Sequence, residues 1–182
     1  MILEYNGKRP QIAPDAFIAP NATIIGDVTI GPEANIWFGV VIRGDEGPIV
    51  IGARASIQDN TVIHVNPRHP TIVEAGATVG HLAVLEGCHI EAGALVGMHA
   101  TVLDGAVVGA GSLVAAGSVV RQNQVIPPNV LAAGVPAEVK GPMSEPARHH
   151  VANATADYQA MANHYKRMNV GLAVSPATLN PE

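Results

Sequence analysis

Val84, Ile90, Val96, Val102, Val108, Val114, Val120 and Ile126 stand six residues apart, and every one is Val or Ile. Carried backwards, the register meets Thr78 and Ile72, slips by three residues to Ile63, Ile57 and Ile51, and slips again to Ile42, Ile36, Ile30, Ile24, Ile18 and Ile12. Only Thr78 departs from Ile or Val. A six-residue period suits neither a helix of 3.6 residues per turn nor an uninterrupted strand of period two. It suits a hexapeptide β-helix, an all-β fold whose short strands turn a corner every six residues. Two residues before many anchors the side chain is small (Ala16, Ala22, Ala34, Ala55, Ala94, Ala100, Ala106, Ser112, Ser118), as a crowded prism corner requires.

The repeat predicts a β-helical domain over residues 1–137, with 1–10 as a lead-in strand. Two turn-rich interruptions, Asp45 to Pro48 and Asn66 to Pro70, read as loops protruding from corners. Residues 138–169 are expected to form a C-terminal helix packing on the prism or on a neighbour, with Ser144 as N-cap and Pro146 in the first turn. Val151, Ala154, Tyr158, Met161, Ala162, Tyr165 and Met168 form its apolar stripe, and residues 170–182 read as a flexible tail. A net charge of −5 and only 3% aromatic residues argue against a nucleic-acid partner. No apolar run approaches the roughly 18 residues of a membrane span. Met1 to Pro10 lacks a signal-peptide core, so a cytoplasmic location is expected. The single cysteine, Cys88, falls at the small corner position and reads as structural.

Three hexapeptides make one triangular coil, so anchors three steps apart share a face. Arg43 follows Ile42 and His64 follows Ile63, which sets Arg43 one coil below His64. Glu86, two residues after Val84, falls one coil above His64 on that face. His81, three after Thr78, falls on a different face, above Gln58 and Asp59 and below His99. Clusters on two faces of one prism meet only across an interface, and head-to-tail contacts of that kind close into a ring, here a three-fold one. A metal or catalytic seam would combine His64 and Glu86 of one chain with His81 of its neighbour, beside Arg43, Asp45, Gln58 and Asp59.

The segments Arg43-Gly44-Asp45, Ile57-Gln58-Asp59-Asn60-Thr61-Val62-Ile63-His64, Gly80-His81 and Gly97-Met98 resemble the γ-class carbonic anhydrase family. Thr155-Ala156-Asp157-Tyr158-Gln159 is similar to its branch linked to carnitine metabolism and phenylacetate degradation, and in the latter pathway relatives act as acyl-CoA thioesterases. The resemblance implies a left-handed parallel β-helix, a homotrimer, and a metal held by three histidines across each interface. Its first ligand falls on His64 and its second on His81, but its third falls on Glu86, a carboxylate. Zinc accepts two histidines and a glutamate, iron or cobalt are alternatives, and His99 is a possible substitute ligand. A carboxylate lowers the net charge of the site and should make bound water less acidic, which predicts weakened hydration of CO2. By the same resemblance, Arg43 and Asp45 are an interface ion pair, and Gln58 orients metal-bound water or substrate. Asp59 orients a ligand histidine or accepts a proton, and Glu86 is also a candidate general base. Glu46 and His69 are candidate proton shuttles in the two interruptions, and Ser56 stands where the family has an asparagine.

The expected function is that of a trimeric, metal-dependent enzyme in which metal-bound water attacks CO2 or a related carbonyl, with altered carbonic anhydrase activity. The substrate would be a small molecule, CO2 and bicarbonate or an acyl-CoA. Alternatives are an acyl-CoA thioesterase at the same interface, a non-catalytic scaffold that has lost a ligand histidine, and a hexapeptide acyltransferase.

Overall fold

Most strands between Ile12 and Ile126 are two or three residues long, and each carries an apolar side chain inward before the chain turns a corner. The computed structural model describes residues 1–172, so most of the expected tail lies outside the described residues. Strands pair in parallel, coil on coil, into a left-handed β-solenoid of about seven turns. Three inward stacks run up its axis. One joins Ile12, Ile30, Ile51, Val73, Ile90, Val108 and Ile126. A second joins Ile18, Ile36, Ile57, Val79, Val96, Val114 and Ala132. A third joins Ile24, Ile42, Ile63, Leu85, Val102 and Val120. All are buried, each large side chain contributing about 1.5–3 kcal/mol of transfer free energy.

Three positions depart from the expected register. Val73, Val79 and Leu85 point inward, whereas Ile72 is half-buried, Thr78 faces the C-terminal helix and Val84 is exposed. The loop at residues 66–70 shifts the phase, and the corner from Leu85 to Ile90 is one residue short, which restores it. A one-residue slip exchanges the two faces of a strand. Each pair (Ile72 and Val73, Thr78 and Val79, Val84 and Leu85) offers two strand-forming residues side by side, so Thr78, the exception to Ile or Val in the register, is the one sign of the slip that the sequence carries.

Asp45 to Pro48 is also not a loop. Val41–Ile51 runs as one strand beside Thr23–Ile30, with a register shift between Gly26 and Val28 that absorbs the extra residues as a bulge.

At the top, Val130–Ala133 joins the last coil and Glu138–Pro142 folds back antiparallel to it. Helix α1, Glu145–Arg167, then runs along the face that bears the second stack. Ser144 caps it by accepting from the Ala147 N–H, with proline in its first turn. Val151 and Ala154 pack on Leu95, while Tyr158, Ala162 and Tyr165 pack on Phe17 and Trp37. Met161 and Met168 are exposed, which makes the buried stripe narrower than expected. Among the described residues no helix is long and apolar enough to cross a membrane.

Candidate metal and catalytic site

The third stack positions one half of the site. Arg43, His64 and Glu86 directly follow Ile42, Ile63 and Leu85, so they project outward in one column on successive coils. The true register puts Glu86 one residue after its anchor, in the position that His64 and Arg43 hold after theirs. The His64 imidazole lies between two carboxylates, with Nε2 3.1 Å from Asp45 Oδ1 and Nδ1 3.4 Å from Glu86 Oε1. Arg43 bonds the other oxygen of Asp45. Burial works to raise the Asp45 pKa, but the hydrogen bonds from Arg43 and His64 outweigh it and hold the carboxyl below its ordinary value.

Thr71 and Asp104 brace this half. The buried Thr71 hydroxyl donates to the His64 carbonyl (2.6 Å) and accepts from the Gly87 N–H (2.8 Å), tying the residue before the loop to the residue after Glu86. Asp104 accepts from Asn66 (2.5 Å), His69 (2.8 Å) and Arg68 (3.0 Å), so three loop side chains converge on one carboxylate. The bonds from Asn66 and His69 hold its pKa low against burial, helped by the charges of His69 and Arg68. Neither brace was legible beforehand, because a threonine or aspartate at a repeat corner looks like ordinary turn chemistry. His69, a candidate proton shuttle by sequence, is engaged in this brace, and His89 bonds Glu74 at 2.7 Å. Glu46 is exposed.

The second half lies beside helix α1. His81 Nδ1 is 2.8 Å from Asp59 Oδ2, and the other Asp59 oxygen accepts from the Phe38 N–H at 3.2 Å. A carboxylate accepts, so in the neutral imidazole Nδ1 carries the proton and Nε2 the lone pair. The Tyr158 hydroxyl donates to that lone pair at 3.0 Å. Gln58 Oε1 accepts from the His81 N–H at 3.2 Å. His99 stands exposed one coil above, its N–H on the His81 carbonyl. The helix stripe put Tyr158 on the prism, but its pairing with His81 depends on where the helix docks.

A groove of about 450 Å³ opens at His81 between helix and prism, with Leu95, Met98, Leu113 and Tyr158 among its walls. Ser56 is buried beside Asn35, and its hydroxyl and the Asn35 amide nitrogen both lack a partner among the described residues.

Two imidazoles and a carboxylate match the nitrogen and oxygen donors that zinc takes. The Asp59–His81 pair has the form in which a carboxylate fixes the tautomer of a ligand histidine. Within one chain, however, no group of three such side chains is arranged to hold a metal ion among the described residues. The donors fit a metal only if a second copy supplies one of them.

Residues 9–44 and 87–122 match the family description bacterial transferase hexapeptide (six repeats). A carbonic anhydrase of Geobacillus kaustophilus is 47% identical over 92% of this chain and 92% of its own. The carnitine operon protein CaiE of Salmonella agona is 36% identical over 87% of this chain and 80% of its own. A solved Bacillus cereus structure, described as a candidate acetyltransferase, matches with a TM-score of 0.90 at 44% identity, covering 92% of this chain and 98% of that one. Fold and repeat define a left-handed β-helical protein of the hexapeptide class. Within that class, the chain belongs to the γ-carbonic anhydrase family.

Proposed function

We propose that the chain is a homotrimeric, metal-dependent enzyme of carbonic anhydrase type, acting on CO2 and bicarbonate. The observation that carries this reading is the division of the donors. His64 and Glu86 form an incomplete pair on one face, and His81 is oriented by Asp59 on another. Exposed apolar side chains flank both halves, Val62 and Val84 on the first and Leu82 and Met98 near the second, as a surface awaiting a second copy would have.

His64 and Glu86 of one subunit and His81 of the next would hold the ion, zinc by donor type, with iron or cobalt also compatible. When bound, such an ion lowers the pKa of a water towards neutrality and so supplies a nucleophile. Asp59 keeps the His81 proton on Nδ1, and Gln58, with only its Oε1 engaged among the described residues, offers an amide N–H to a substrate oxygen. Asp45 and Arg43 hold His64 in place from below. The Glu86 charge weakens the electrophilicity of the centre, so CO2 hydration is slower than with three histidines.

The groove supports a second reading. About 450 Å³ far exceeds what CO2 requires and suits the acyl portion of a thioester, which the same centre would hydrolyse.

Complementation tests the shared seam. His64→Ala and His81→Ala should each be inactive, whereas refolding them together restores about a quarter of wild-type activity, because random mixing unites intact halves at about one seam in four. Activity in either variant alone, or a dead mixture beside an active wild type, sinks the proposal.

A further inference from the structure

We infer that Tyr158 competes with the metal for His81, so that loading the site and releasing this helix contact are one event. The inference rests on the metal reading above. The Nε2 lone pair of His81 already accepts the Tyr158 hydroxyl at 3.0 Å, with Asp59 holding the proton on the opposite nitrogen at 2.8 Å. One lone pair serves either an O–H or an ion, never both. A phenol keeps its proton at neutral pH, so the hydroxyl is a donor there.

The helix itself is fastened on both sides of Tyr158. Thr155 donates to the Gly76 carbonyl and Gln159 to the Glu33 carbonyl, each at 2.6 Å. Release therefore comes from the ring and not from withdrawal of the helix. Tyr158 and His81 both line the groove, which gives the ring space to turn into. Edge-on contact with Trp37, centroids 5.4 Å apart at 78°, returns it when the ion leaves. By linkage, metal frees the Tyr158 ring from His81, and whatever frees the ring tightens metal.

The test compares zinc and cobalt(II) affinity of wild-type and Tyr158→Phe trimers by competition with a chromogenic chelator. Phenylalanine keeps the packing on Trp37 and removes only the hydroxyl. The variant should bind about 2- to 12-fold tighter, the value of one net hydrogen bond. In the metal-free wild type, the nitrogen-15 resonance of His81 Nε2 should show a hydrogen-bonded acceptor, a signature lost in the variant and on adding zinc. Equal or weaker binding by the variant, or an unchanged resonance, overturns the competition and leaves the metal site standing. Failure of both proteins to take up either ion removes the metal reading and the competition with it.

Discussion

The coils above Ile90 and the coils below it obey different rules. From Ile90 to Ile126 every inward residue follows the last by six, and beyond the candidate ligand His99 those coils lend the site a brace, Asp104, and groove walls, Leu95, Met98 and Leu113. Between Val41 and Ile90 the repeat is broken three times at one corner of the prism. A bulge follows Arg43, a loop follows His64 and a shortened turn follows Glu86. The same column continues upward as the apolar Leu103 at a regular corner, where Asp104 is spent on bracing the loop below. Regular coils are scaffold, and chemistry gathers where the scaffold is interrupted.

The strongest way to break this contrast is Gly87→Ala. Gly87 has φ +55°, and a Cβ there would stand 2.5 Å from Asp104 Oδ1 and 2.8 Å from Asn66 Nδ2. Loss of the short turn should cost about 2–4 kcal/mol by urea denaturation. Gly117→Ala, at a regular corner with φ +69° and open space around it, should cost only about 1 kcal/mol. Equal costs would mean that the interrupted corner is no more constrained than the rest.

Glu86→His sharpens the contrast chemically. Removing the carboxylate charge should raise CO2 hydration at neutral pH on the order of tenfold, a shift of about one pKa unit in the nucleophile. Stopped-flow rates that do not rise would show that something other than this residue limits the reaction.

The smallest expected effect is that of Asp104→Asn, about 1 kcal/mol at neutral pH from weakened bonds to the loop. Because the folded pKa of Asp104 is depressed, its stabilisation is complete above the unfolded value of about 3.9 and fades as pH falls through the folded value. Wild type and variant should therefore differ at neutral pH and converge in acid. A gap that persists or widens below about pH 4 would contradict the depressed value.

Much of this was legible in the residues. Anchors of one size class, repeated every six positions, leave the chain one way to bury them, and they placed Arg43 below His64 and Glu86 on the same face, while the corrected register sets all three in one column. The slip at Val73, Val79 and Leu85 showed only in the polar Thr78, because the other neighbours, Ile72 and Val84, suit a buried strand as well as the residues beside them do. Nor were the Tyr158–His81 and Asp104 contacts, which join positions 77 and about 35 residues apart and depend on how a helix and a loop settle on the finished prism. Periodicity reports which face a residue occupies, whereas tertiary docking decides what it touches there.

Cys88 lies directly behind the shortened turn, fully buried, its thiol pushed up to about 12 by desolvation. A thiol reacts as thiolate and only where reagent can reach it. As the sole cysteine in the chain, it is a built-in clock: the rate at which a thiol dye labels the folded protein reports how often the corner beside Glu86 opens.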